Sequence, residues 1–290
     1  MWYMVVVSII WAFSFGLIKT YLAGMDPFLV SAMRIGVALM VFLPFLRLGT
    51  VSFNLFLKLF VIGAVQFGLM YGTYIYTYQF MEAHKIALFT VTTPLMVTLI
   101  DDFLEKRFQT HYFLCAALAV VGAVVIYYKT IDLSDTLIGI CLLQLSNLCF
   151  AIGQVFYRRI MLQNDDLKSR DHFGVLYLGG FIATLILVFL GTDLETVSIS
   201  MKQFQVILFL GVLASGIGFF LWNYGATKTN AGTLAVMNNL KIPLAVTVSL
   251  LFFESVSGEA LIRLLMGGAI IVGAVYLNER ISARVKRESS

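Results

Sequence analysis

Within the apolar run AGTLAVMNNLKIPLAVTVSLLFFE, residues 231–254, stand two amides and an ammonium: Asn238, Asn239 and Lys241. A lysine near the middle of a membrane-length helix costs roughly 2.5–3.5 kcal/mol on insertion scales, so it needs a partner or a wet cavity. Ten residues of helix from Ala231, at about 1.5 Å each, put Lys241 roughly 15 Å deep, too deep for snorkelling to rescue it fully. Leu234, Asn238, Lys241 and Ala245 share one helical face, while Asn239 turns toward a neighbouring helix. Pro243 has no N–H and its ring clashes with the Asn239 carbonyl, so the helix is expected to loosen beside the ammonium. The chemistry that suits this group is capture of an anion. Hydrogen bonding between helices is the plainer role open to the same residues.

Other polar and aromatic residues recur at helical spacing. Gln144, Asn147, Ala151 and Gln154 fall on one face, and Tyr71, Tyr74 and Tyr78 on another, with Gln66 and Thr73 nearby. Each stripe alone is more often packing than a site. Together with Trp11, Trp222 and Asn223 they are candidates to line a polar and aromatic cavity. Arg34 lies about six residues, roughly 9 Å, from the outer end of its run, within snorkelling reach, so a structural or gating role is expected of it. All 16 acidic residues fall in loops or near the ends of apolar runs. The interior thus holds a cation and no carboxylate, which favours a monocarboxylate or another small anion as solute.

These residues need elements to carry them. Of the 290 residues 60% are hydrophobic and 12% charged, with mean hydropathy +0.92, which excludes an ordinary soluble domain. The sequence predicts an all-α integral membrane protein with ten transmembrane helices near 2–19, 28–46, 57–79, 85–103, 111–128, 136–157, 173–190, 204–225, 231–253 and 260–278. EAHK at 82–85 is a thin break between the third and fourth. The first run has no basic n-region or cleavage site, so it is expected to stay. Thirteen of the 20 Lys and Arg fall on the side that holds both termini and five on the other, which places both termini in the cytoplasm. Cys115, Cys141 and Cys149 lie in apolar runs without metal-ligand spacing, and the three histidines lie near loops, so no metal, cofactor or enzymatic constellation is expected. A net charge of +4, dispersed over helix ends, gives no nucleic-acid surface.

The chain also resembles itself. Pro94 is followed eleven residues later by Glu105 and then by VGAV at 121–124; Pro243 is followed eleven residues later by Glu254 and then by VGAV at 272–275. Phe13 and Gly16 match Phe150 and Gly153 more weakly. Two repeats follow, 1–129 and 130–290, the second ending in a basic tail. Each holds five spans, and because five is odd the second repeat is inverted. Such halves can present a midplane site to either side in turn, with Pro94 and Pro243 as hinges.

The paired segments TTPLMVTLIDDFLEKR and IPLAVTVSLLFFE, each an apolar helix with Pro and a terminal Glu, resemble EamA-type carriers of the drug/metabolite transporter superfamily. LLQLSNLCFAIG, GVLASGIGFFLWNYGAT and NAGTLAVMNNLKIP are similar to the bacterial biotin-uptake carriers of that family. The resemblance implies import of biotin or a similar carboxylate across the bacterial inner membrane by alternating access, among membrane lipids and without a cofactor, with a homodimer open as an assembly. Export of amino acids or related metabolites is the rival activity within the family.

Overall fold

The structure, a computed structural model, describes residues 1–22, 24–81, 86, 89–127, 137–164, 166–193, 195, 198–252 and 258–288, and every regular element among them is helical. α1 (Trp2–Leu17) runs into a π-helical turn at Ile18–Leu22. α2 (Pro27–Phe42) starts where Asp26 accepts the Leu29 N–H at 2.8 Å, with Pro27 in the first turn, where a missing N–H costs nothing. One helical stretch over 53–77 consists of α3 (Phe53–Gly63), a π-helical turn (Ala64–Leu69) and α4 (Met70–Thr77). A 3-10 turn at Thr90–Thr92 leads into α5 (Thr93–Glu105). α6 (Thr110–Tyr127), α7 (Leu137–Leu162) and α8 (Ser169–Gly191) follow. A second interrupted stretch, over 201–226, comprises α9 (Met201–Leu210), a π-helical turn (Gly211–Ile217) and α10 (Gly218–Ala226). Short α11 (Ala231–Met237), α12 (Lys241–Phe252) and long α13 (Gly258–Glu288) complete the chain.

Six helical stretches among the described residues are long and apolar enough to cross a membrane: 27–45, 53–77, 137–162, 169–191, 201–226 and 261–284. The distribution of polarity fits lipid as solvent. Phe103 and Leu190 are 82% and 80% exposed on the outside, whereas Gln66, Gln154, Asn223, Asn238 and Asn239 are fully buried. With no water in the hydrocarbon region, amides must find partners inside the bundle, and apolar side chains lose nothing by facing out.

Packing recurs in matched pairs. α4 lies on α7 and α1 on α10; α5 lies on α7 and α1 on α12; α8 lies against the 53–77 stretch and α2 against the 201–226 stretch. α2 also packs on α8, and α6 on α13. Two contacts depend on glycine. A methyl group on Gly63 would strike the Leu176 carbonyl, and one on Gly179 the Phe60 carbonyl, so these backbones approach to a distance only glycine permits. Gly122 and Gly267 do the same for each other in the α6–α13 contact. Gly273, in the second VGAV copy, has nothing near it, so the two copies do not sit in equivalent contacts.

Ion pairs gather the basic loops at one end of the bundle. Arg159 bonds Asp101 at 3.0 Å and Glu105 at 2.7 Å, Arg47 pairs with Asp171 at 3.7 Å, and Arg158 donates to the Thr229 carbonyl at 3.1 Å. Tyr3 packs on Tyr224 and Asn278 bonds Asn230 at the same end, so α1 begins there and α13 approaches it. At the other end Thr192 donates to Asp26 and the Lys202 ammonium lies over the Tyr21 ring.

The expected ninth helix, 231–253, is not one helix. It stops at Met237, turns through Asn238–Leu240 and restarts at Lys241. The face expected to run through Leu234, Asn238 and Lys241 is therefore interrupted; the Ala245 side chain, the 82–85 break and Glu254 lie outside the described residues. Gly179→Ala should destabilise the protein by about 1–3 kcal/mol, as overpacking of a filled contact does, and Gly273→Ala should leave it unchanged. Thermal unfolding of the two purified variants in detergent checks this; equal melting temperatures would refute the glycine contact.

Candidate functional site

The two proline-bearing breaks meet. A 3-10 turn continuing past Thr92 would bond the Val91 carbonyl to the N–H of residue 94, but Pro94 has none. Asn239, in the break of the other segment, donates to that carbonyl at 3.1 Å. The neighbouring Phe89 carbonyl accepts from Asn147 at 3.0 Å and from Gln144 at 3.1 Å, and Thr92 donates back to Gln144 at 2.7 Å. Asn239, Asn147 and Gln144 thus hold irregular backbone in place where no water would do so. The π-helical turn at Gly211–Ile217 is treated alike. Trp11 donates through its indole to the Ala214 carbonyl at 3.0 Å, and the Tyr177 hydroxyl shares its proton between the Ser215 and Gly216 carbonyls.

Beside the breaks lies a cavity with an open mouth. Its polar wall comprises Ser14, Arg34, Thr90, Ser146, Asn147 and Lys241; Trp11, Tyr71, Tyr74, Phe150 and Phe219 give it ring faces, and Ile18 and Met70 complete the lining. Lys241 is the first residue of α12, so the break delivers its side chain to the cavity. Its Nζ lies 5.8 Å from the Trp11 ring centre and 5.9 Å from that of Phe150. Ring faces attract a cation modestly, by about 0.5–2 kcal/mol, less than a carboxylate would where water is excluded. No Asp or Glu is among the lining residues.

Of the residues singled out in the sequence, Lys241, Trp11, Asn147, Tyr71, Tyr74 and Arg34 line this cavity. Gln144, Asn238, Asn239, Trp222 and Asn223 do not; they bond to one another's neighbours behind the wall. Trp222 donates to the Gln154 side-chain oxygen at 2.9 Å, Asn238 donates to the same oxygen at 3.2 Å, and Gln66 donates to Asn223 at 3.1 Å. Arg34 departs from its expected place. It is 2% exposed and faces the cavity rather than reaching for the membrane surface, because its guanidinium lies over the Tyr71 ring at 4.9 Å. Pro94 is buried in the first turn of α5, and Pro243 is the third residue of α12, so each opens a helix instead of kinking one.

The profile of the EamA-like transporter family matches residues 1–128 and 137–280. The chain belongs to that family. A protein of Salmonella typhimurium named biotin transporter is 36% identical over 279 residues, which cover 96% of this chain and 92% of the relative. One of the same name from Escherichia coli is 40% identical over 249 residues, 85% of this chain and 83% of the relative. A probable biotin transporter of Pseudomonas aeruginosa is 38% identical over 278 residues, 95% and 96% of the two chains. A solved crystal structure shares the fold with a TM-score of 0.77 and 16% identity, covering 97% of each chain.

As a member of the EamA-like family the chain is a multi-pass membrane transporter and not an enzyme. Ser14, Thr90, Ser146, Phe150 and Phe219 also line the cavity without a signal in the sequence, since single hydroxyls and phenylalanines in apolar helices stand out only once the helices are packed. Asn239→Ala should lower stability by about 1 kcal/mol, leaving the Val91 carbonyl without its donor. The melting temperature of the purified variant tests this, and an unchanged value would refute the cross-break bond.

Proposed function

We propose that this chain is a carrier of the bacterial inner membrane that imports biotin, or a closely similar carboxylate, by alternating access. The observation that carries the reading is the cavity lined by Lys241 and Arg34 and by no carboxylate. A carboxylate arriving there meets an ammonium whose contacts are ring faces, and its hydrophobic remainder meets Trp11, Phe150 and Phe219. Relatives that carry the name biotin transporter support the choice of solute. An amino-acid exporter would need an acceptor for the substrate ammonium, and no Asp or Glu lines the cavity among the described residues.

In this reading ten membrane helices form two inverted five-helix repeats, 1–129 and 130–290. The matched packing pairs support it, since exchanging the halves turns α4 on α7 into α1 on α10 and α5 on α7 into α1 on α12. The gathering of Arg47, Arg158, Arg159 and Lys228 at the end that holds α1's start supports a cytoplasmic location for both termini. The halves rock about the cavity, with the breaks ahead of Pro94 and Pro243 absorbing the change in backbone angle. The solute's carboxylate stabilises whichever state closes around Lys241.

Labelled biotin supplied at nanomolar to micromolar concentration to cells that lack their own biotin transport should enter saturably when this protein is expressed. Unlabelled biotin should compete and amino acids should not. Lys241→Met should reduce the affinity of uptake by about tenfold or more while the purified protein melts no lower than wild type, because the buried charge it removes has no acidic partner among the described residues. Wild-type uptake with Lys241→Met would reduce the lysine to a packing residue.

A further inference from the structure

Arg34 is buried without the acceptors that Arg158 and Arg159 have. Arg158 donates to the Thr229 carbonyl and Arg159 to Asp101 and Glu105. Arg34 is 2% exposed, yet neither its Nε nor its Nη1 meets a hydrogen-bond acceptor. Its contact is the face of Tyr71, a ring fixed by a 2.9 Å bond between its hydroxyl and Ser215 Oγ. A ring face attracts the cation as a whole but leaves the donors in the guanidinium plane unused, and buried donors without acceptors are costly. The guanidinium also borders the cavity, so an acceptor can reach it from there.

The two cations of the cavity are joined by contiguous rings. Lys241 lies over Trp11; Trp11 packs on Phe219 with centres 5.2 Å apart; Phe219 packs on Tyr71 at 5.7 Å; and Arg34 lies over Tyr71. A solute lying along these rings would have an apolar middle and an acceptor at each end. We propose that Arg34 is a second solute-binding residue, donating to an uncharged carbonyl oxygen at the end opposite the carboxylate held by Lys241. With biotin, whose import is the reading this inference rests on, that oxygen is the ureido carbonyl. A planar fork of donors suits such an oxygen, and a monocarboxylate leaves Arg34 no second anion to bind.

Two biotin analogues separate the ends. Biotinamide replaces the carboxylate by a neutral amide, and 2-iminobiotin replaces the ureido oxygen by a protonated nitrogen that cannot accept. Against labelled-biotin uptake by wild type, each should compete about tenfold or more weakly than biotin. In Arg34→Met, uptake should weaken similarly and 2-iminobiotin should compete as well as biotin, with the amide still rejected; Lys241→Met should show the reverse. Arg34→Lys keeps the charge without the fork, so it should fold, still reject 2-iminobiotin and bind biotin more weakly. Unchanged selectivity in Arg34→Met, or wild-type affinity in Arg34→Lys, would overturn the assignment. So would loss of amide rejection in Arg34→Met, which would make Arg34 the carboxylate's partner. Absence of biotin uptake by wild type would overturn biotin import and this inference with it, and is distinct from any result confined to the variants.

Discussion

Two prolines without an N–H, each set at the start of a helix within the bundle, create the constraint on which the remainder of the structure depends. A backbone carbonyl in hydrocarbon has no water to turn to, so irregular chain survives there only where protein supplies the donors. Asn239 supplies Val91, and Asn147 and Gln144 supply Phe89. The amides that look at first like solute ligands are in good part the means by which the chain tolerates two breaks at one depth. The cavity lies beside the breaks: α12 begins with Lys241, and its side chain lines that space.

The electrostatics follow from the same arrangement. The carboxylates Asp101 and Glu105 are held at one end of the bundle, where Arg159 pairs with them, and Asp26 caps α2 at the other. None lines the cavity, so its two cations face ring surfaces. Ring faces make burial of these charges tolerable without neutralising them, which leaves attraction for an anion intact. A carboxylate of the protein in the same place would occupy the cation and leave it little attraction for a solute anion.

Much of the fold was legible because lipid imposes a simple rule on sequence: long apolar runs become helices, and their polar punctuation marks their ends. Asp26 and Ser52 cap the helices that begin at Pro27 and Phe53. Lys241 stood out as a charge in an apolar run, and Asn239 was rightly turned toward a neighbouring helix. The split of 231–253 was only half visible: Pro243 announced strain, but where the helix would stop depended on Asn239 finding Val91, 148 residues away in sequence. Arg34 was misplaced for a related reason. Distance along the helix allowed it to reach the surface, and only the position of Tyr71, from another helix, decides that it turns inward. Trp222 and Asn223 have the residue types of a binding site, yet Gln154 and Gln66 occupy them.

The central claim is that the cavity recognises a carboxylate through a cation that lacks an acidic partner. Equilibrium binding of labelled biotin to the purified protein, in competition with pentanoate and with pentanamide, tests it most directly. These competitors share a short alkyl chain and differ in charge. The account predicts that pentanoate displaces biotin at concentrations about tenfold or more below those at which pentanamide does so. Equal displacement by the two would contradict it, leaving Lys241 as a buried charge with no part in recognition.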